Sequence, residues 1–242
     1  MNIRELLFFY NGQDKRYEVY NLDAAKEQRS PCSTFKIVST LAALENGIIS
    51  TDSSLRKWSG EIFSNSDWNK DMTVKEAFRT SCVWYYRTLI NEIGQERMQS
   101  FLNQLEYGNK DISDWEGIRN ESNTNPALKG FWLESCLKIS PFEQVEILER
   151  IFQGETIYKS ENLRALKDMM YVEQDATPIE IYGKTGYGRL NNISLDSWFV
   201  GMFELASELK YFAIHLSETE DTSVTSALAK SIAIEIIADR YQ

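Results

Sequence analysis

The sequence has little histidine and little cysteine, and both shortages limit its chemistry. Its only histidine, His215, lies in the apolar run 211–216, whose pattern is typical of a strand. A serine–histidine–aspartate triad would need that residue, so a nucleophilic serine here requires another base. The cysteines Cys32, Cys82 and Cys136 are odd in number and lack metal-ligand spacing. They are predicted to be small buried thiols, without a disulfide framework or a metal site.

The chain also lacks an excess of positive charge and lacks long apolar runs. It carries 26 Lys and Arg against 36 Asp and Glu, for a net charge of −10. This balance argues against a nucleic-acid partner, although a local lysine can still attract an anionic substrate. No run reaches the ~18 apolar residues of a membrane span. Residues 1–7 are too short and polar for a signal peptide, and the oligomeric state is not readable.

Apolar patterning predicts an α+β fold. The length of 242 residues suits one compact domain, 1–242. Strand patterns occur early, in a hairpin formed by 6–10 and 16–20, and late, at 179–185, 197–204 and 209–216. A last helical stripe covers 222–241, and a mostly helical lobe is inserted at about 34–170. The sequence therefore predicts an antiparallel sheet built from both chain ends and flanked by helices.

Local sequence patterns predict several helix boundaries in the inserted lobe. Asn46-Gly47 ends a helix that we expect to begin at Thr34. Thr73 and Ser140 each precede a glutamate by three positions, which predicts two capping boxes. Further helices are predicted over 83–93, 97–105 and 161–170, with a long loop at 108–130.

Ser33 and Lys36 form a Ser-x-x-Lys motif at the mouth of the first of these helices. Residues three apart on a helix share a face. A serine hydroxyl is a poor nucleophile unless a neighbouring group takes its proton. Lys36 can do so if burial lowers the pKa of its amine, and apolar neighbours such as Ile37 and Val38 favour burial. The motif alone is also compatible with a helix N-cap followed by a solvated lysine.

Further short motifs follow in order along the chain. They are Ser81-Cys82-Val83, Tyr107-Gly108-Asn109, Phe131-Trp132-Leu133-Glu134, Tyr182-Gly183-Lys184-Thr185-Gly186 and Trp198-Phe199-Val200-Gly201. Together with Ser-x-x-Lys, this set resembles the serine β-lactamases and penicillin-binding proteins. The resemblance is closest to class D β-lactamases and to the related β-lactam-sensor domains of membrane signal transducers. It extends over nearly the whole chain and agrees with the α+β prediction.

The resemblance implies roles around the nucleophile. Ser33 would be the acylated nucleophile, and Lys36 the general base, carboxylated on its amine by CO₂ or bicarbonate. Val83 and Leu133 would be walls of the lysine pocket, and the Trp132 indole N–H would hold the carboxylated lysine. No other cofactor is implied.

The resemblance also implies a substrate site on a strand. Ser81 would relay a proton toward the β-lactam nitrogen, and Lys184, Thr185 and Gly186 would bind the substrate carboxylate. The backbone N–H groups of Ser33 and Tyr187 would form an oxyanion hole.

One departure from the family pattern concerns the substrate carboxylate. Many class D enzymes carry an arginine near the start of the final helix, and this chain has Ala229 there. Arg189 or Lys230 could replace it. The bulk of Tyr187 could also narrow the mouth of the site.

The resemblance leaves two main functions open. One is hydrolysis of a β-lactam with release of the product, and the other is a receptor that keeps the acyl group on Ser33. Some sensors have an asparagine where this chain has Val83, and an apolar residue there favours hydrolysis. A peptidoglycan D,D-peptidase fits the Trp132 motif less well. Either main function predicts a secreted or extracytoplasmic location, with a membrane anchor outside this chain in the second case.

Overall fold

A five-stranded antiparallel sheet unites the two ends of the chain. A computed structural model describes residues 4–11, 16–153, 156–190, 193–217 and 224–241. The strands are β1 (Arg4–Asn11), β2 (Arg16–Tyr20), β3 (Ile181–Leu190), β4 (Ile193–Leu205) and β5 (Glu208–Ser217). Their order across the sheet is β2-β1-β5-β4-β3, so the first strand pairs with the last one. β3 therefore lies at an edge, where it can meet the helical part of the chain.

Most of the helices in the described ranges lie between β2 and β3. They are α1 (Leu22–Lys26), α2 (Lys36–Glu45), α3 (Val74–Arg79), α4 (Val83–Ile93), α5 (Gln95–Leu105), α6 (Pro141–Phe152) and α7 (Ser160–Met170), and α8 (Ser226–Arg240) follows β5. Short 3₁₀ turns cover Cys32–Phe35, Ser66–Trp68 and Pro126–Leu128. None of the helices in the described ranges is long and apolar enough to cross a membrane.

Two apolar cores hold the sheet and the helices together. One is centred on α2 and α4, where Leu41, Tyr86 and Leu89 are fully buried. The other lies between the sheet and α8, where Phe199, Phe212 and Ile237 are buried. Burial of apolar surface on this scale is the main stabilising contribution to such a fold.

The predicted α+β architecture is confirmed, with differences at the ends of elements. Both capping boxes are present, at Thr73 with Glu76 and at Ser140 with Glu143. The helix expected from residue 34 begins as a 3₁₀ turn and becomes α-helical at Lys36. Helix α1 was not among the predicted elements, and β3 runs to Leu190, beyond the predicted end at 185. The loop of the predicted hairpin and the start of the last helix at 222 fall partly outside the described residues.

Candidate active site

The nucleophile turn, residues 30–36, places Ser33 beside Lys36. Lys36 Nζ lies 2.8 Å from Ser33 Oγ. Cys32, one residue earlier, has φ = 49°, a left-handed conformation that non-glycine residues seldom adopt. The turn is closed by the Thr34 amide and hydroxyl, which both donate to the Pro31 carbonyl at 3.1 and 2.6 Å. Its conformation is thus set by hydrogen bonds as well as by packing.

Lys36 is held in an environment that favours its neutral form. Its side chain is fully buried, and loss of solvation lowers its pKa from 10.5 to about 7. The Nζ lies 5.0 Å from the centre of the Tyr86 ring, whose hydroxyl pairs with Thr40 Oγ1 at 2.7 Å. A neutral amine has a free lone pair, so Lys36 can accept a proton from Ser33 or react with CO₂ near neutral pH.

Trp132 lies close to the nucleophile turn, with its polar atom unused. Its indole is fully buried and stacks on Phe35, with ring centres 6.1 Å apart. Among the described residues, Trp132 Nε1 has no hydrogen-bond partner. A buried N–H without a partner is costly, and such a group is an available donor for an acceptor bound in its pocket. Val83, the first residue of α4, and Leu133 are each partly buried.

Ser81 and Lys184 bring the helical part of the chain and the sheet together. Lys184 Nζ on β3 donates to Ser81 Oγ at 2.9 Å and also lies 3.4 Å from Thr185 Oγ1. Burial, together with the positive charges of Lys36 and Lys230, lowers the pKa of Lys184 well below its usual value. Ser81 has φ = 59°. Two lysine–serine pairs, Lys36 with Ser33 and Lys184 with Ser81, therefore lie near enough for the charge of one lysine to act on the other.

The rest of the predicted β3 site runs along the edge of the nucleophile turn. A Cβ on Gly186 would lie 3.0 Å from both the Pro31 carbonyl oxygen and Thr34 Cγ2, so β3 packs directly on this turn. The next residue, Tyr187, is 37% exposed, and its hydroxyl pairs with Ser194 Oγ at 2.8 Å. The side chain of Tyr187 is therefore directed toward β4.

A cavity of about 610 Å³ opens beside Lys184 and Thr185. Its lining includes Phe78, Arg79, Met169, Tyr171 and Lys230. Ala229, in the position where arginine was expected, is fully buried, whereas its neighbour Lys230 lines the cavity. Arg189 is exposed farther along β3. Of the two replacements considered from the sequence, Lys230 is the one that faces this cavity.

The Tyr107-Gly108-Asn109 motif supports the segment that follows Trp132. Asn109 Nδ2 donates to the Cys136 carbonyl at 2.8 Å, and Asn109 Oδ1 accepts from the Lys138 amide at 3.0 Å. Gly108 has φ = 47°, and a Cβ there would lie 2.0 Å from the Lys138 carbonyl oxygen. These contacts give the motif a structural role beside the candidate site.

His215 contacts an aspartate and a tryptophan of β4. It is buried on β5, and its Nε2 lies 2.7 Å from Asp196 Oδ1 on β4. Its ring packs on Trp198, with centres 4.1 Å apart. The three cysteines are buried thiols outside any disulfide, so their predicted burial is confirmed.

Sequence reasoning missed the residues that join the nucleophile turn to the Trp132 loop, residues 130–135. Ser30 Oγ donates to the Trp132 carbonyl at 3.2 Å and accepts from the Glu134 amide at 3.0 Å. Cys32 Sγ lies 3.1 Å from Glu134 Oε1. The only signal was the position of these residues beside known motifs, because contacts across more than 100 residues leave no local pattern.

Comparisons with known proteins agree with this geometry. Residues 4–238 match the family described as penicillin binding protein transpeptidase domain. The chain is 32% identical to a probable β-lactamase YbxI of Bacillus subtilis, over 90% of this chain and 74% of that protein. It is also 32% identical to the regulatory protein BlaR1 of Bacillus licheniformis, over 93% of this chain but only 35% of the relative.

Solved structures give the same result. A class D β-lactamase from Bacillus subtilis superposes with a TM-score of 0.83 at 31% identity, covering 99% of this chain and 92% of that one. The C-terminal domain of the Bacillus licheniformis BlaR penicillin-receptor superposes with a TM-score of 0.83 at 30% identity, covering 98% and 90%. The chain belongs to the penicillin-binding-protein transpeptidase family, in the group that contains class D β-lactamases and BlaR1-type sensor domains.

Proposed function

We propose that this protein hydrolyses β-lactams through an acyl-enzyme on Ser33. The observation that carries the proposal is the 2.8 Å contact between Ser33 Oγ and a fully buried Lys36 whose pKa is lowered to about 7. This is the arrangement of a nucleophile and its base. The similarity to class D β-lactamases supplies the substrate class.

The positions of the side chains support a route for acylation. Neutral Lys36 accepts the proton of Ser33 as Oγ attacks the β-lactam carbonyl carbon. The ring C–N bond then breaks, and the leaving nitrogen takes a proton that Ser81 is placed to deliver. Backbone N–H groups of Ser33 and Tyr187 would stabilise the oxyanion. Lys184, Thr185 and Gly186 lie on the strand that would hold the substrate, with Lys230 supplying a further positive charge beside the cavity.

Deacylation needs a base that remains available once Ser33 carries the acyl group. A carboxyl group added to Lys36 from CO₂ or bicarbonate would supply a carboxylate that accepts the proton of the hydrolytic water. The residues present fit such a group, because Lys36 is buried and Trp132 Nε1 is a donor without a partner among the described residues. Trp132 would hold the group, and Val83 and Leu133 would exclude bulk water from it.

A second candidate function is β-lactam sensing by stable acylation of Ser33. The 32% identity to BlaR1 and the likeness to a penicillin-receptor domain favour it. The chain spans 35% of the length of that BlaR1 relative, so a sensor would act as part of a longer protein. A chromogenic β-lactam in large excess separates the two functions.

Sustained turnover that increases with added bicarbonate supports hydrolysis. A burst of one equivalent, followed by a stable adduct in the mass spectrum, supports sensing. Ser33→Ala is the matched control and is expected to show neither adduct nor turnover. An adduct on that variant would overturn the assignment of Ser33.

A further inference from the structure

Glu134 contacts both segments that build the candidate site. Its backbone N–H donates to Ser30 Oγ, and its carboxyl oxygen Oε1 lies 3.1 Å from Cys32 Sγ. Cys32 is the residue that precedes Ser33 in the chain. Trp132 lies two residues before Glu134 in the same loop, and its carbonyl accepts from Ser30 Oγ. The hydrogen bonds of Ser30 and Glu134 thus join the nucleophile turn to the Trp132 loop at two points.

Strand β3 packs directly against the contact between Cys32 and Glu134. A Cβ on Gly188 would lie 1.7 Å from Glu134 Oε1 and 2.9 Å from Cys32 Sγ. The backbone of β3 therefore lies against both groups, two residues beyond Gly186, which itself packs on the nucleophile turn. The carboxyl group of Glu134 is therefore packed among three segments of the site. The backbone of Glu134 is also unusual, with a left-handed φ of 46°.

The surroundings of Glu134 are acidic as well as buried. Asp196 on β4 faces it, the Cys32 Sγ and the two carboxylates lie within 4.8 Å of one another, and Lys138 and Arg29 are the cations near it. Burial and the charge of Asp196 raise the pKa of Glu134 to about 7. Asp196 in turn pairs with His215. Burial of a carboxyl group beside another acid costs free energy, and the hydrogen bond with Cys32 offsets part of that cost.

We propose that Glu134 is a positioning residue for the reaction, which acts through Cys32 to hold Ser33 and Lys36 in register with Trp132. Glu134 touches neither nucleophile nor base in the structure, so its effect is transmitted by the Cys32 side chain and the Ser30 hydroxyl. The inference rests on the proposed acylation of Ser33. Deacylation depends on Trp132 and Lys36 together, whereas acylation depends on the local Ser33–Lys36 contact. Loss of the Cys32–Glu134 contact therefore slows deacylation more than acylation.

Four variants test this contact. Cys32→Ala and Glu134→Ala remove one partner each, whereas Cys32→Ser keeps a donor and Glu134→Gln keeps an acceptor of the same shape. Burst and steady-state rates with a chromogenic β-lactam give acylation and deacylation separately. We expect deacylation to fall about tenfold in both alanine variants, acylation to fall less than threefold, and the Ser and Gln variants to recover most of the loss. The double alanine variant is expected to be no slower than the slower single variant.

A spectroscopic readout and a control separate positioning from general destabilisation. With ¹³C-bicarbonate, the carbon signal of a carboxylated Lys36 is expected to weaken in the alanine variants and to return in Cys32→Ser. Met98→Ala, which truncates a fully buried side chain of α5, lowers stability on a helix outside the three segments of this contact and should leave the ratio of the two rates unchanged.

Equal losses in both rates, no recovery by Gln or Ser, or additive effects in the double variant would overturn the inference. If the wild type forms an adduct that is not released, the burst rate and the ¹³C signal still test the contact. Absence of both turnover and an adduct in the wild type would instead overturn the proposed function itself.

Discussion

Lys184 Nζ donates a hydrogen bond to Ser81 Oγ across 2.9 Å, although the two residues are 103 positions apart in the chain. Because Lys184 is buried near two other lysines, its pKa lies well below the usual value. An approaching carboxylate favours the charged ammonium over the neutral amine. Substrate binding and protonation of Lys184 are therefore coupled.

This coupling predicts proton uptake when a β-lactam binds. The bound carboxylate raises the pKa of Lys184, so affinity falls as pH rises from the pKa of the free protein to that of the complex. Calorimetric titration of the Ser33→Ala protein in buffers of different ionisation enthalpy measures the protons taken up. Lys184→Met is the control, and an equal proton count in that variant would contradict the coupling.

Replacement of Lys36 by an apolar residue is expected to lower activity and to raise stability. The folded pKa of Lys36, about 7, lies below the unfolded value of 10.5. The unfolded chain then binds more protons between these values, so the free energy of unfolding rises with pH across that window. Lys36→Met removes this dependence and is expected to raise the melting temperature at pH 7, because a buried amine is replaced by an apolar side chain of similar length. The same variant is expected to form no acyl adduct.

The activity side of this prediction is measured in the wild type. The acylation rate should increase from pH 6 to pH 8, as Lys36 loses its proton around pH 7. An acylation rate that is flat across this range, or a Lys36→Met protein that is acylated at the wild-type rate, would show that Lys36 is not the base.

Two substitutions of Ser81 separate the role of its side chain from the effect of its backbone conformation. Both Ser81→Ala and Ser81→Gly remove the hydroxyl that accepts from Lys184, so both should lower turnover by about 10²-fold, the lower end of a proton-transfer contribution. Only glycine relieves the left-handed backbone at φ = 59°. Ser81→Gly should therefore be more stable than Ser81→Ala by about 1 kcal/mol. Thermal unfolding and steady-state kinetics on the pair give the two quantities; equal stability would contradict the backbone part.

Trp132 and Trp198 form a second matched pair. The N–H of Trp198 donates to the Ser30 carbonyl at 2.9 Å, whereas that of Trp132 has no partner among the residues described. Trp198→Phe loses a formed hydrogen bond and should destabilise the protein by about 1–3 kcal/mol beyond the loss of ring volume. Trp132→Phe should cost less stability but slow deacylation more.

Thermal unfolding and burst kinetics at high bicarbonate compare the two tryptophan variants. Unchanged deacylation in Trp132→Phe would contradict the role proposed for its N–H. A larger loss of stability for Trp132→Phe than for Trp198→Phe would contradict the difference in hydrogen bonding.

The sequence predicted the elements of this fold better than the contacts between them. Capping boxes such as Thr73 with Glu76 are local patterns, so the helix starts they mark were found. The five-residue helix α1 was missed, because an element that short has almost no periodicity to detect. The 3₁₀ turn before α2 depends on β3 and on Gln144, whose Nε2 donates to Thr34 Oγ1 at 2.8 Å, and neither is near in sequence.

The same limit applies to the candidate site. The Ser33–Lys36 contact follows from a spacing of three and was predictable from sequence. The Ser30–Trp132 and Cys32–Glu134 contacts span 102 residues each, and only the folded chain shows them. The catalytic roles of the motif residues stay predictions until the variants above are measured.

Three non-glycine residues at the candidate site, Cys32, Ser81 and Glu134, have left-handed backbones. Each such residue costs of order 1–3 kcal/mol, which surrounding contacts must offset. Selection of variants for heat resistance alone would accept glycine or asparagine at these three positions, and each replacement would remove a side chain that contacts the site. Directed evolution toward a more robust scaffold is thus expected to arrive first at proteins that fold well and turn over poorly.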